Sequence, residues 1–475
     1  DEDGASSGEG AGYVVYGKTS GHGTIDLDTL TQTDGFAIYG NDISGAFASD
    51  VAGAGDFNGD GIDDVMFASP NLPGPDGANQ GKTYVVFGVA GSRANTDVAS
   101  LAPGSYIEIT GDAAIDYSGH GVAHAGDVNG DGLDDIIIGA LGANGAQNDS
   151  GAAYVIFGKS SGLADIDLGS LSSSDGFKIN GEFSGDQFGF DVAGGGDVNG
   201  DGLDDVVVGA RYNDENGTFS GAAYIVYGRS TPVSTIAAGS LTASEGFIVY
   251  GGATQDYAGL AIAIAGDMNG DGLSEVLVTA HGQDDSAMGA GAAYVIYGST
   301  TGPGTVNLDD LSPAVGFAMN GEYGGDNFGI AAAAAGDVNG DGLADIMIGA
   351  NLNDDIAASS GKAYIVYGRG PSSPVDRSGS ADPNTLLGSP FGDILNGLGG
   401  EDDLQGGDGD DTLDGGDDDD RVLGGTGSDT LKGGAGRDWV RGGDDGDMVE
   451  GGDDRDWLFG DDGDDDLDGG EGADR

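Results

Sequence analysis

The chain contains no cysteine, few basic residues and only four histidines, and each scarcity narrows what it can be. Without cysteine, neither disulfides nor thiolate metal sites hold the fold. Lys and Arg number 16 against 82 Asp and Glu, a formal charge of −66. Such a surface repels a nucleic-acid backbone or an anionic membrane, so neither is expected as a partner. No apolar run approaches the roughly 18 residues of a membrane-spanning helix, so no transmembrane segment is expected. The N-terminus lacks an initiator Met, a basic n-region and an apolar h-region, so no export leader is expected there. The chain also stops inside a repeat and reads as a fragment or trimmed product. What is abundant is glycine, 99 residues without a Gly-X-Y period, which excludes collagen. Hydrophobic residues, at 38%, are too frequent for an acidic chain that stays disordered. A folded protein with this excess of like charge needs a counter-charge, and a divalent cation is the expected one.

Two internal periods organise the sequence. The motif D-x-N-G-D-G-x-x-[DE] begins at Asp56, Asp127, Asp197, Asp267 and Asp337. Around each copy the same order recurs: a GF-x-I-like segment, a strand of small residues, the acidic loop, a β-branched strand (VMFAS, IIIGA, VVVGA, VLVTA, IMIGA) and a closing GAAYVIFG-like strand. Short apolar runs bounded by Gly and Asp read as strands, and nothing has helical periodicity. Four short strands per repeat indicate a β-propeller, small residues taking the crowded inner strand. GAGYVVYG at 10–17 is in phase with the closing strand, giving five complete blades plus one partial within residues 1–368. Residues 369–387, rich in Pro, Ser and Asp, read as a linker. From 388 to 475 the period is nine, with Asp at position six and Leu or Val at position eight of every complete copy. Six turn residues and a three-residue strand per repeat, two repeats per coil, make a parallel β-roll cut short at its C-terminus. The fold class is therefore all-β.

The acidic loops present oxygen donors at positions 1, 3, 5, 7 and 9, position 7 through its carbonyl. In order these are Asp56, Asn58, Asp60, Ile62 and Asp64; Asp127, Asn129, Asp131, Leu133 and Asp135; Asp197, Asn199, Asp201, Leu203 and Asp205; Asp267, Asn269, Asp271, Leu273 and Glu275; and Asp337, Asn339, Asp341, Leu343 and Asp345. An oxygen-only set suits a hard cation of Ca²⁺ type and not Zn²⁺. An EF-hand would need a bidentate Glu at position 12 and flanking helices. Position 12 is instead Phe67, Ile138, Val208, Val278 and Ile348, all in strand sequence. Position 8 varies, as a residue turned away from the ion should. Glu275 departs from the Asp pattern, so an altered geometry is expected at that loop.

The nonapeptide aspartates are Asp393, Asp402, Asp411, Asp420, Asp429, Asp438, Asp447, Asp456, Asp465 and Asp474. In a roll they form two stacks about 4.8 Å apart per step, the strand spacing. At an effective dielectric of about 20, neighbouring carboxylates there repel by about 3 kcal/mol. Summed along both stacks, this exceeds the roughly 5–15 kcal/mol that stabilises a domain. Ca²⁺ between coils is therefore expected to make folding and binding one event.

The longer units resemble FG-GAP repeats of integrin α-type propellers, with Phe188-Gly189 and Phe328-Gly329 as the Phe-Gly element and Gly139-Ala140, Gly209-Ala210 and Gly349-Ala350 as part of the other. Residues 388–475 resemble RTX (haemolysin-type) calcium-binding repeats, with Phe391, Asp418, Asp445 and Asp454 departing from the fourth-position Gly. These resemblances imply several bound Ca²⁺ ions, a secreted or cell-surface location, type I export in unfolded form, and a recognition or adhesion role toward a protein or glycan ligand on a propeller face. An alternative is the calcium-binding portion of a secreted lipase, phospholipase or protease, and a third a surface-layer or matrix protein.

Catalysis within the chain is not expected. Gly158-Lys159-Ser160-Ser161-Gly162 matches a nucleophile elbow, but it follows a strand in an inter-blade loop and leads into no helix. His120 and His124 in HGVAH lack the Glu of a zincin motif, and His22 and His281 stand alone. Two glycosylation sequons begin at Asn148 and Asn216, and Arg-Gly-Asp is absent.

Overall fold

A computed structural model describes residues 10–19, 24–41, 47–283, 287–354, 360–370, 375–381 and 383–475. Residues 1–9 and His22 lie outside them. Apart from five single-turn 3-10 helices, the described residues form strands and loops.

Small residues permit the close approach of neighbouring inner strands, and the inner strand of each propeller sheet is built from them: Asp50–Gly55, Ser118–Gly126, Val192–Gly194, Ile262–Gly266 and Phe328–Gly336. The chain then turns through the acidic loop into an antiparallel β-branched strand, for example Val206–Ala210, and on to Ala222–Val226 and Gly246–Tyr250. The GF-x-I segment that opens each sequence unit thus pairs at the outer side of the preceding sheet, one strand out of phase with the blade. Five sheets carry the first three strands with their loop. Among the described residues the fifth, ending at Lys362–Val366, pairs with no GF-x-I segment, and Ala11–Val15 with Gly35–Tyr39 forms the partial sheet. A feature the four-strand reading missed is a short parallel strand on the outer edge of four sheets. Ile166–Asp167 pairs with Tyr106–Thr110, and Thr235–Ala237 pairs with Gly176–Asn180. Each comes from the following repeat and ties consecutive blades together at the rim.

The blade cores lie between neighbouring sheets. Ile137, Val155 and Phe177 of one sheet pack with Val206, Val208 and Tyr224 of the next. Every one of these side chains is at most 1% exposed, so most of the stabilisation comes from blade-to-blade burial.

The roll consists of two parallel sheets in which each strand pairs with the strand 18 residues on, as Leu395 with Leu413 and Leu404 with Val422. The position-eight residues from Leu395 to Val449 form one buried file with Leu386 at its head. Strands extend over six residues rather than three, because the ladder skips the first glycine and resumes on the two residues after it. The stretch read as a linker differs more. Asp376–Ser378 and Thr385–Leu387 pair in register with Ile394–Asn396 and Asp403–Gln405, so the first coil lies inside 369–387. Gly379–Leu387 (GSADPNTLL) is a nonapeptide with Asn384 in the aspartate position, and that substitution hid it. Arg377 links the two parts, its guanidinium donating to the Gly270 carbonyl of the fourth acidic loop and to the Leu387 carbonyl of the roll.

Because the roll file is separate from the propeller cores, Leu413→Ala should cost the roll alone about 2–5 kcal/mol. Denaturant unfolding of the full chain in calcium should show one transition moved and the other unchanged; a joint shift would argue against independent cores.

Candidate metal centres

Each acidic loop is shaped by its own first aspartate. In the second loop Asp127 accepts from the N–H groups of Gly130, Asp131 and Gly132 at 2.7–3.0 Å. Asp197, Asp267 and Asp337 repeat this pattern, and the Asp56 carboxylate takes the last two N–H groups while Gly59 N–H donates to the Asp56 backbone carbonyl. The position-5 carboxylates of Asp60, Asp131, Asp201, Asp271 and Asp341 accept the N–H of position 7, namely Ile62, Leu133, Leu203, Leu273 and Leu343. Gly132, at φ +81°, supplies the left-handed residue the turn requires.

The position-9 acids begin the next strand and are the buried members. Asp64, Asp135, Asp205, Glu275 and Asp345 are each at most 1% exposed, and none forms an ion pair with a described base. Asp135 accepts from the N–H groups of Val128 and Gly158, and Asp205 and Asp345 have matching partners. Glu275 takes the equivalent donors, Met268 at 2.6 Å and Gly298 at 3.5 Å, so the extra methylene lengthens one bond and leaves the arrangement intact. Burial raises Asp64 to about 6 and Asp135 and Glu275 to about 8, with neighbouring loop aspartates adding to the rise, and lifts Asp205 well above the carboxylate range. The Asp64 Oδ2 atom is buried with no hydrogen-bond partner.

Position 3 supplies the remaining side-chain donor. Asn58, Asn129 and Asn269 turn their amide nitrogen toward the position-9 acid, whereas Asn199 and Asn339 turn it toward position 5. In each loop an N–H thus stands among carboxylates, where a cation would be electrostatically welcome. Presenting Oδ1 to an ion requires only rotation of the amide. Among the described residues no three Asp, Glu or His side chains gather as a ready-made cage, so an ion here must also draw on the Asn and the loop carbonyl.

Position 8 does face away from the loop, and it has a task that the sequence did not reveal. Asp134 Oδ2 accepts the Asp56 N–H and Asp204 Oδ2 accepts the Asp127 N–H. The N–H groups of Asp204, Ser274 and Ala344 donate to the carbonyls of Asp127, Asp197 and Asp267. Successive loops are therefore stitched head to head around the propeller.

In the roll the two expected stacks are present. Asp393, Asp411, Asp429, Asp447 and Asp465 form one, and Asp402, Asp420, Asp438, Asp456 and Asp474 the other. Each N–H donates to Oδ1 of the aspartate one coil on, from 2.7 Å for Asp393 to Asp411 up to 3.3 Å for Asp456 to Asp474. The second oxygen is left over. Oδ2 of Asp402, Asp411, Asp420, Asp429, Asp438, Asp447 and Asp456 is buried without a partner in every case. Asp393 differs because Ser389, in place of the usual glycine, donates its N–H to Oδ2 and its hydroxyl to Oδ1. Asp465 and Asp474, in the last coil, are partly exposed. Burial raises Asp411 and Asp420 to about 7 and Asp429 and Asp438 to about 6, with the carboxylates of adjacent coils adding to the rise.

The first glycine of each repeat is fixed by this arrangement. A Cβ on Gly424 would lie 2.2 Å from Asp429 Oδ2 and 2.6 Å from the Gly442 carbonyl. The orphan oxygen and a backbone carbonyl of the neighbouring coil therefore flank the same point beside the glycine, an arrangement of acceptors that a shared cation or proton would relieve. The turns with Asp418, Asp445 and Asp454 at position four keep the left-handed backbone, at φ 80°, 77° and 72°, which Asp tolerates better than most residues. Asn384, overlooked in the sequence, continues the second stack: its N–H donates to Asp402 Oδ1 and its Oδ1 accepts the Ser380 N–H.

The enzyme-like motifs do not converge. His124 pairs with Asp134 at 2.9 Å, while His120 Nδ1 contacts the Phe190 carbonyl at 2.8 Å. Gly158–Gly162 lies in the loop after Ala152–Ile156, and no helix follows it directly.

Family models agree with this geometry. FG-GAP repeats match 118–156, 188–226 and 328–366, each running from inner strand through acidic loop to third strand. RTX calcium-binding nonapeptide repeats match 378–413, 387–422, 414–449 and 441–475. The chain carries FG-GAP repeats followed by RTX repeats. Integrin alpha pat-2 of Caenorhabditis briggsae is 32% identical over 222 residues, 43% of this chain and 17% of the relative. Integrin alpha-PS2 of Drosophila melanogaster is 29% identical over 238 residues, 48% and 15%. A bovine phosphatidylinositol-glycan-specific phospholipase D is 31% identical over 150 residues, 31% and 17%. The FG-GAP and RTX chain thus spans 15–17% of the length of these relatives.

The raised carboxylates give the RTX roll a defined pH response. Their folded values lie above the unfolded value of about 3.9, so without an ion the folded roll binds more protons than the unfolded chain. That contribution is complete below about pH 4 and drains away as pH rises through about 6–7. In chelator, far-UV circular dichroism of the full chain should show more roll signal at pH 5 than at pH 8. In calcium the order should reverse, because the ion competes with those protons. Equal signals at both pH values in chelator would contradict the assignment of buried, proton-binding aspartates.

Proposed function

We propose that the chain is a secreted calcium-binding recognition or adhesion module that exports unfolded, folds on external calcium, and offers one propeller face to a ligand. The observation that carries this reading is the set of seven equivalent orphan oxygens in the roll, three in one stack and four in the other, one per aspartate from Asp402 to Asp456. Seven buried acceptors repeating at one lattice position are a binding requirement, since each would cost about 1–3 kcal/mol if left unmet. Ca²⁺ supplies positive charge and a flexible oxygen coordination shell. In the roll, aspartates of successive coils, with Asn384 at the head of one stack, would hold it through Oδ2 and neighbouring glycine carbonyls. In the propeller, positions 1, 3, 5, 7 and 9 of each loop would hold it, the buried position-9 acid fixing the ion to the start of the second strand. Both repeat families are calcium-binding, and integrin α relatives support an extracellular setting.

A second reading has its own support. Similarity to a phospholipase D favours the non-catalytic calcium-binding part of a secreted hydrolase. A catalytic motif in an additional domain of the complete coding sequence would decide for it.

Calcium titration of the chelated full chain tests the first reading. Roll β signal should appear at about 10⁻⁴–10⁻³ M, the range of extracellular calcium modules. An unchanged spectrum and unchanged melting with and without calcium would overturn it. Asp131→Ala should remove one class of propeller site in calorimetry while leaving the roll transition in place; a matching loss in the roll would show that the sites are not separate.

A further inference from the structure

The end of the propeller opposite the acidic loops carries a cluster of one arginine and several aromatic rings. Arg211 directly follows Val206–Ala210 and therefore sits at the far end of that strand from its loop. Its guanidinium lies 3.6 Å from the Phe190 ring centroid and 4.6 Å from that of Tyr212. Nε donates to Gln187 at 2.9 Å. No described carboxylate pairs with this arginine, although acids outnumber bases about five to one, and eleven other Lys, Arg or His side chains pair with a carboxylate among the described residues. Burial disfavours its charge, the phenols of Tyr212 and Tyr257 favour it, and the imidazoles of His120 and His281 also lie within its field. Tyr212 continues into Phe219 at 4.8 Å, and Phe219 stacks with Tyr257 at 6.0 Å and 19°. All of these side chains are partly exposed.

We propose that this cluster binds a sugar acid, a uronate within an extracellular glycan. Arg211 would take the carboxylate in its planar fork, and the ring of Phe219 would take the face of the pyranose, backed by Tyr257, on which His281 stacks at 5.2 Å and 28°. The site rests on the recognition reading above and names its ligand class. A guanidinium held between two rings and tied through Nε is already ordered, so pairing with a carboxylate costs little further side-chain entropy. Charge-assisted fork contacts are among the stronger polar interactions, and Arg and Tyr are the side chains that most often dominate binding surfaces. A ring platform beside the anion site suits a cyclic ligand, whereas an Asp or Glu side chain brings only its methylenes. Asp214 is the carboxylate beside the platform, and its Oδ1 is engaged by the Phe219 N–H at 2.7 Å; repulsion from the acidic loops does not forbid binding either. Five strand residues separate the two ends by about 17 Å at 3.3 Å per residue, twice the screening length of about 8 Å at physiological salt.

The test is calorimetric titration of the full chain in calcium with a glucuronate-containing tetrasaccharide, its uncharged glucose counterpart and an acidic hexapeptide. The uronate should bind, and the neutral sugar should bind at least about tenfold more weakly, the loss of one charged contact. Arg211→Gln should abolish that preference with calcium-dependent dichroism intact. If this variant does not fold, Phe219→Ala, at a rim position outside the blade cores, should weaken uronate binding by a similar factor. Uronate affinity unchanged in either folded variant, no uronate binding by the parent chain, or binding of the acidic peptide alone would overturn the proposal. Loss of uronate binding with intact calcium-dependent folding would sink this inference only; loss of calcium-dependent folding would sink the reading beneath it.

Discussion

Carboxylates that are buried but not paired govern this molecule. A buried carboxylate is tolerable when a base neutralises it, and the chain has too few bases for that. Those it has are spent mostly near the surface, as in Lys178 with Asp112 or Arg421 with Asp403, where an ion pair stabilises by about 0–1 kcal/mol. The interior acids are left to the backbone and to cations. Asp135, Asp205 and Glu275 accept two N–H groups each, but hydrogen bonds do not cancel a full charge, and burial drives all three toward the protonated form. An alkaline-earth ion removes the conflict without requiring lysines or arginines in the core.

The two halves meet that requirement by different geometry. In the propeller one loop supplies all five positions, so each centre is local in sequence and its turn is preshaped by the first aspartate. The links from position 8 to the preceding loop then join centres that would otherwise be independent. In the roll no single repeat makes a centre. An aspartate donates its N–H to the carboxylate one coil on and leaves its own second oxygen beside another coil's carbonyl, so at least two coils must form together. The loops can order one by one, whereas the roll behaves as a stack in which each coil depends on its neighbours.

Much of this was legible in the chain itself because both motifs repeat. The strand order around each acidic loop, the roll and the failure of the EF-hand pattern at Phe67 and Ile138 follow from periodicity and residue chemistry. What escaped was non-local or disguised. Asn384 hid a repeat because the aspartate that defines the period is replaced. The rim strand Ile166–Asp167 is two residues long and pairs across a blade boundary, leaving no alternation to read. The orphan oxygens are set by an 18-residue register that composition does not report. The Arg211 cluster draws on residues from 187 to 257 that only the propeller brings together.

That separation bears on how the propeller can act. Its strands are short, so the acidic loops at one end and the aromatic cluster at the other are joined by rigid, fully buried segments such as Val206–Ala210. Calcium bound by the loop at 197–205 would fix the start of this strand, and Arg211 leaves from its end. A rigid strand transmits position, not charge, since the loop's field is screened well before it reaches Arg211. The acidic end therefore sets whether the blade is ordered, and the opposite end is free to carry unrelated chemistry. A ligand at Arg211 would then feel calcium only through the integrity of the blade, a coupling that is all-or-none for each sheet and insensitive to small changes in loop occupancy once the blade is formed.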